Sequence, residues 1–150
     1  MKPKQEHAPL MILLADDDID DRFFFQKALK ALPIATHLKN VPDGEQLMNY
    51  LSENSEHLPD LLFLDFNMPR KNGSECLIEI KRNEKLKRIP VIVYSTALRD
   101  EIGDVLYQNG AHYCLQKCDF VELTKCIQKV LALLEENPNQ PSRDKFILSL

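Results

Sequence analysis

The residues of this sequence best suited to chemistry are acids, a hydroxyl and an amine that each follow a short apolar segment. Closely spaced carboxylates repel one another unless protons or a cation compensate their charge, and Mg2+ can be held by one or two of them. A carboxylate can also accept a phosphoryl group as a nucleophile, while a divalent ion and a lysine offset the charge on that group. The candidates are Asp16, Asp17, Asp65, Ser95 and Lys117.

Each candidate also has an ordinary structural explanation when it is taken alone. Asp18, Asp20 and Asp21 continue the acidic run and suit the cap and first turn of a helix, so the acids before them could form a merely solvated loop. A lone serine or lysine at a strand end is usually a surface residue, and an acid after a buried strand could mark only where the chain leaves a sheet. The chemical interpretation therefore depends on whether these side chains meet.

Apolar patterning predicts five strands, each followed by a helix. Short apolar runs that end in charge or in turn residues are typical of strands buried on both faces of a parallel sheet. Parallel strands joined by right-handed crossovers place helices on both faces, so we expect a three-layer α/β sandwich. The predicted strands span residues 10–15, 36–41, 61–66, 91–95 and 113–116.

In such a sheet, ligands bind beyond the carboxyl ends of the strands. The five candidate residues all lie at or just after predicted strand ends, and the sequence after Asp65 adds a turn with Pro69 and then Gly73. Two acids, a third acid, a hydroxyl and an ammonium at one edge form the parts of a phosphoryl-transfer site. The predicted convergence favours this site over the separate surface explanations.

Composition excludes several other classes of protein. The chain has 150 residues, 44% of them apolar and 28% charged, which fits one globular domain. A net charge of -4 and a pI near 5.6 argue against a nucleic-acid surface. The four cysteines contain no C-x-x-C pair, which favours reduced thiols over disulfides. The apolar stretch 8–15 is too short to span a membrane and lacks a cleavage site, so we expect a cytoplasmic protein without a membrane partner.

The motifs together resemble the receiver domain of two-component response regulators, the CheY-like family. The acid pair, the D-x-x-M-P-x-x-x-G run that begins at Asp65, Ser95 and Lys117 occur in the order of that family and at close to its intervals. The resemblance implies a flavodoxin-like, doubly wound, five-stranded parallel sheet of order 2-1-3-4-5. It places a receiver domain at 10–136, after an N-terminal extension (1–9) and before a C-terminal tail (137–150).

The resemblance also implies a cofactor and its ligands. Asp65 corresponds to the phosphorylated aspartate of the family. Asp17, Asp65 and the backbone carbonyl of Asn67 correspond to direct ligands of Mg2+, and Asp16 would reach the ion through a water molecule. The predicted cofactor is therefore Mg2+.

The remaining roles concern the response to phosphorylation. Ser95 corresponds to the switch hydroxyl that moves toward the phosphoryl group, and Lys117 to the lysine that pairs with it. The surface formed by the fourth helix, fifth strand and fifth helix would then report the change. The implied function is that of a single-domain response regulator, monomeric or homodimeric and not an enzyme. It would receive phosphate from a sensor histidine kinase or a histidine phosphotransfer protein, and act on a downstream protein target.

Two positions depart from the family pattern. Cys118 stands where receivers usually have a proline after the lysine, and a cis peptide before a non-proline residue costs about 3–4 kcal/mol, so we predict a trans peptide and a displaced loop. The usual position of the switch aromatic holds Cys114, whereas the aromatic here is Tyr113. A shift of one residue in a strand turns the side chain to the opposite face, so Cys114 is predicted to be a small core residue.

Two alternative functions compete with this one. A phosphatase that forms an aspartyl phosphate usually needs an acid two residues after its nucleophile, and this chain has Asn67 there. A scaffold that is never phosphorylated is favoured only by Cys114 and Cys118. If the chain is a receiver, Asn67 could orient a water molecule whereas Ala97 cannot, which predicts a modest rate of intrinsic dephosphorylation.

Two apolar clusters are left without a role in the predicted site. Three successive aromatics, Phe23, Phe24 and Phe25, cannot all face the core from one helix, so at least one is expected to be exposed or at the helix flank. An exposed one could form part of a surface for the kinase or phosphotransfer partner. The tail carries the cluster 146–148, for which disorder, docking on its own domain and binding of a partner stay open.

Overall fold

The computed structural model describes residues 8–96 and 99–148, in which strands and helices alternate as the apolar pattern predicts. A short 3-10 turn, Arg143–Lys145, precedes the last strand. The elements are β1 (Leu10–Ala15), α1 (Ile19–Lys30), β2 (Thr36–Val41), α2 (Gly44–Glu53), β3 (Leu61–Asp65), α3 (Gly73–Arg82), β4 (Val91–Ser95), α4 (Asp100–Gln108), β5 (Tyr113–Gln116), α5 (Phe120–Glu136) and β6 (Ile147–Leu148).

The described strands form one parallel sheet in the order β2-β1-β3-β4-β5-β6. The predicted flavodoxin-like fold class and the order of its first five strands are confirmed. The sheet has one strand more than predicted, because the C-terminal tail returns to β5 and pairs Ile147 with Cys114. The tail therefore docks on its own domain, and β3 ends at Asp65, one residue before the predicted end.

Alternation along each strand divides the core between the two faces of the sheet. Phe25 of α1 lies in the cluster beneath α1 and α5, with its ring edge-on to Phe63 of β3 at 4.8 Å between centroids. Leu64, the next residue of β3, belongs to the cluster beneath α2, α3 and α4, where it joins Leu77. Helices cover both faces of the sheet, and this packing holds in place the strands that carry the candidate site.

The helices begin immediately after the loops at the carboxyl edge. Asp18 caps α1, as predicted, and accepts hydrogen bonds from the backbone of Asp20 and Asp21. Asn72 caps α3 and Asp119 caps α5 in the same manner. Within the described part of the chain, the helices lack the combination of length and apolar character needed to cross a bilayer.

Candidate functional site

The acids and the lysine meet at the carboxyl edge of the sheet, as the strand ends predict, and Ser95 lies at the same edge at the end of β4. Asp16, Asp65 and Ser95 are buried, whereas Asp17 is exposed at the mouth of the site. One carboxylate oxygen from each of Asp16, Asp17 and Asp65 lies within 4.8 Å of the others. Lys117 reaches this group from the end of β5.

The loop after β1 holds Asp16 in place through its own backbone. Asp16 Oδ1 accepts a hydrogen bond from the Asp18 amide at 2.9 Å, and its carbonyl oxygen accepts one from Arg22 Nη1 at 2.7 Å. These bonds join the strand end to the first turns of α1. They turn the Asp16 side chain inward and leave Asp17 facing solvent.

Lys117 is the cation that forms ion pairs with the acids of the site. Its Nζ lies 3.1 Å from Asp16 Oδ2, 3.3 Å from Asp65 Oδ2 and 2.8 Å from Asp21 Oδ2. The ammonium also lies 4.8 Å from the centroid of the Tyr94 ring, close enough for a cation–π contact. One ammonium thus offsets the charge of three carboxylates.

The loop after β3 and the start of α3 pack closely against Asp65 and hold it in position. Asp65 Oδ1 accepts a hydrogen bond from the Asn67 amide at 3.2 Å, which leaves Oδ2 facing Lys117. Arg70 has a positive φ of 67°, and a Cβ added at Gly73 would collide with the Asp65 carbonyl oxygen. The glycine at this offset is therefore required because α3 starts against the backbone at the end of β3.

Burial and charge shift the titration of these groups. Burial raises the pKa of Asp65 to about 7, which Lys117 opposes and the Asp16 carboxylate reinforces. Burial likewise raises the pKa of Asp16. For Lys117 burial lowers the pKa, but the hydrogen bond to Asp21 and the charges of Asp16 and Asp65 outweigh burial, so the pKa of the ammonium is raised. A second cation at this cluster would relieve the repulsion between the carboxylates.

Ser95 and Lys117 are also joined through the backbone. The Lys117 amide donates to the Ser95 carbonyl oxygen at 2.6 Å, so the end of β5 is bonded directly to the end of β4. The backbone of the described residues contains no cis peptide, which confirms the trans bond predicted between Lys117 and Cys118. Ala97, which was expected to flank the phosphoryl group, lies outside the described residues.

The departures in β5 have the predicted effect on packing. Tyr113 belongs to the core beneath α1 and α5, whereas Cys114 belongs to the core beneath α2, α3 and α4. Burial raises the pKa of the Cys114 thiol to about 12, as expected for a small core residue. Cys118 is exposed.

Two contributors to the site have no recognisable signal in the sequence. Asp21 appeared only as a residue of the first helical turn, and its contact with a lysine 96 positions away has no local signal. Tyr94 lies in an apolar strand, where no local pattern indicates that its ring contacts a cation. Both belong to the environment of the Lys117 ammonium.

Comparison with known proteins adds independent information about the family. Residues 12–128 match the family model for the response regulator receiver domain. Response regulator Rcp1 of Synechocystis sp. (strain ATCC 27184 / PCC 6803 / Kazusa) is 32% identical over 145 residues, which cover 92% of this chain and 97% of that protein.

Solved structures agree with the sequence comparison. The Mn2+-bound form of response regulator Rcp1 has a TM-score of 0.76 at 33% identity, with 89% of this chain and 100% of that chain covered. The phosphorylated cyanobacterial phytochrome response regulator RcpA has a TM-score of 0.78 at 30% identity, with 90% of this chain and 100% of that chain covered. By the family match and these likenesses, the chain belongs to the response regulator receiver domain family.

Proposed function

We propose that this receiver accepts a phosphoryl group on Asp65 and signals through contact with another protein. The observation that carries the proposal is the contact of Lys117 with Asp65 beside the carboxylates of Asp16 and Asp17. An acid nucleophile, a cation and two further acids at the end of parallel strands are suited to phosphoryl transfer. The likeness to the phosphorylated RcpA structure supports the same chemistry.

The transfer conserves atoms and charge in a simple way. An oxygen of Asp65 forms the new O–P bond while the N–P bond of a phosphohistidine donor breaks, and the electron pair of that bond stays on the imidazole nitrogen. Lys117 offsets the negative charge on the transferring group. The Ser95 hydroxyl would donate a hydrogen bond to a phosphoryl oxygen once its side chain turns toward that group.

The acidic cluster fits a small divalent cation, and we propose Mg2+. Its members offer only oxygen, the ligand that Mg2+ prefers, and Rcp1 has been solved with Mn2+ bound. Asp17, Asp65 and the backbone carbonyl of Asn67 would hold the ion directly, and Asp16 would do so through water. When bound, the ion would neutralise charge on the phosphoryl oxygens.

The direct test is labelling with acetyl phosphate and Mg2+, followed by intact-mass measurement. We expect a gain of one phosphoryl group, with acetate as the leaving group. The gain should be absent in Asp65→Asn and after chelation of the metal. Labelling of Asp65→Asn to the native extent would refute the assignment of the acceptor.

We propose that the phosphohistidine donor docks on an apolar face beside the site. Phe23 and Phe24 of α1 are 57% and 46% exposed, whereas Phe25 is fully buried, so the expected exposure of at least one ring is confirmed. Lys27 lies 5.4 Å from the Phe23 ring and 5.8 Å from the Phe120 ring, which joins α1 and α5 into one surface. A histidine kinase or phosphotransfer protein that presents its histidine to Asp65 would cover this face.

Substitution of Phe23 distinguishes docking of the phosphohistidine partner from the phosphoryl transfer itself. Phe23→Asp should slow transfer from a phosphorylated histidine partner but leave labelling by acetyl phosphate unchanged. Val105→Asp is the matched control, because Val105 is also half-exposed but lies on α4. Undiminished transfer to Phe23→Asp would exclude the proposed surface.

The lifetime of the phosphorylated form is a further part of the proposal. Asn67 can orient a water molecule near Asp65, and an alanine at position 97 cannot hydrogen-bond one. Intrinsic dephosphorylation should therefore be modest, and Ala97→Glu should shorten the lifetime of the phosphoprotein. An unchanged lifetime would contradict this account, whereas sustained turnover of phosphate esters would favour a phosphatase instead.

A further inference from the structure

The C-terminal strap, residues 137–148, folds back over α4 and the edge of β5. Phe146 is fully buried, and its ring meets the Tyr107 ring of α4 edge-on at 5.2 Å. Ile147 and Leu148 then extend the sheet beside β5. The strap thus covers part of the surface that was expected to respond to phosphorylation.

Phe146 supplies an aromatic side chain where β5 itself has none. Cys114 contributes only a thiol to the core beneath α2, α3 and α4, and Phe146 belongs to the same cluster. The Cys114 amide donates a hydrogen bond to the Phe146 carbonyl oxygen at 3.0 Å, so ring and strand are also bonded through the backbone. A small residue in β5 and a large one in the strap together fill this part of the core.

The strap is also held by polar contacts with α4 and with the segment between α4 and β5, among them the Pro138 carbonyl oxygen at 3.2 Å from His112 Nε2. Tyr107 Oη donates to the Pro141 carbonyl at 2.6 Å, and Gln140 Nε2 donates to the carbonyls of Tyr107 and Ala111, each at 2.8 Å. Arg143 pairs with Asp104 at 2.8 Å, with both side chains partly exposed. The ion pair is exposed and the strand has only two residues, so burial of Phe146 is the main cost of opening the strap. A strap can open locally at this cost while the rest of the domain stays folded.

β5 connects the strap to the site of phosphorylation. Cys114, which bonds the strap, lies three residues before Lys117, which contacts Asp65. A phosphoryl group on Asp65 changes the charge that the ammonium faces, and Lys117 is bonded through its amide to Ser95 in β4. The strap is paired with β5 through Cys114 and Leu115, so a shift of this strand end would cost strap contacts.

We propose that the C-terminal strap is an intramolecular cover over α4 and β5, anchored by Phe146, that loosens when Asp65 is phosphorylated. This inference rests on the proposed function of Asp65. Opening would expose the β5 edge and the Tyr107 side of α4 to a protein target. Because coupling between two equilibria is reciprocal, weakening the strap should also favour the phosphorylated form.

Limited trypsin digestion tests the proposal in the full chain. Cleavage after Arg143 or Lys145 reports the open strap, since proteolysis follows the population of the open form. Acetyl phosphate with Mg2+ should speed this cleavage about fivefold or more, a typical size for allosteric coupling, and leave the rate in Asp65→Asn unchanged. Intact-mass measurement of the same samples gives the phosphorylated fraction.

The outcomes separate the two proposals. Unchanged strap cleavage in a chain that has gained the phosphoryl mass would overturn the strap and leave the proposed function standing. Failure to gain that mass would overturn the proposed function, and the strap proposal with it.

A conservative variant tests the reciprocal direction without emptying the core. Tyr107→Phe removes the bond to Pro141 and keeps the ring against Phe146, so strap cleavage and phosphoprotein yield should both increase. Tyr50→Phe on α2 is the matched control and should change neither. If Tyr107→Phe opened the strap but left phosphorylation at the native level, the coupling would be refuted.

Discussion

Replacing Lys117 by methionine should destabilise the protein strongly, because it removes a cation shared by three carboxylates. The ammonium lies 2.8–3.3 Å from Asp21, Asp16 and Asp65. At an effective dielectric constant of about 20, each contact is worth about 5 kcal/mol before desolvation is subtracted. Asp16 and Asp65 stay buried in the variant, and loss of one partner of a buried pair typically costs about 3–5 kcal/mol. In a domain of this size, that corresponds to about 10 °C in Tm.

Urea denaturation followed by circular dichroism, at pH 7.5 with a chelator present, measures this cost. Mg2+ should restore part of the lost stability, because an ion that binds only the folded state shifts the equilibrium toward it. Lys87→Met is the matched control, since Lys87 pairs with Glu84 at 2.9 Å on the exposed surface, and it should have no measurable effect. A loss below about 1 kcal/mol in Lys117→Met would refute the view that this lysine holds the acids together.

Three further perturbations follow from the structure. Phe25→Ala should cost about 3–5 kcal/mol in urea denaturation, because it empties a fully buried site; an equal effect of Phe24→Ala, at a half-exposed position, would contradict this explanation. Burial lowers the pKa of His112 to about 4, below the value of about 6.5 in the unfolded chain. The contribution of this residue to the free energy of unfolding is therefore complete above about pH 6.5. It falls as the pH drops and the unfolded chain takes up a proton, by about 2 kcal/mol at pH 5. His112→Gln should lack this part of the pH dependence, and identical pH profiles would exclude the histidine as its source. Gly73→Ala should cost about 1–3 kcal/mol and lower Tm, because its methyl group collides with the Asp65 carbonyl; a native Tm would show that the loop yields freely.

The part of the fold that the sequence predicts is the part determined by local pattern. Runs of apolar residues mark the strands because both faces of this sheet are covered, and the order of elements then determines the edge at which Asp65 and Lys117 meet. Asp18 is recognisable as a cap because its side chain accepts hydrogen bonds from the backbone amides two and three residues further along the chain. These signals need only short stretches of sequence.

Contacts between distant segments account for what the sequence left open. β6 has two residues and follows a polar, proline-containing stretch, so its pairing depends on an edge of β5 that local pattern does not reveal. Asp21 contacts Lys117 only because α1 and the end of β5 are brought together by the sheet. In both cases the partner is far along the chain, and the residue itself has a plausible local role.

The span of the Lys117 contacts also bears on how the chain folds during synthesis. Its partners Asp21 and Asp65 precede it by 96 and 52 residues, so both are made long before the lysine leaves the ribosome. A nascent chain that ends before β5 carries the acids without their ammonium, and contacts of such long sequence separation form late because the loop entropy must be lost first. A chain truncated before Lys117 should consequently stay open to proteases, and newly made protein should become resistant only once β5 has joined the sheet.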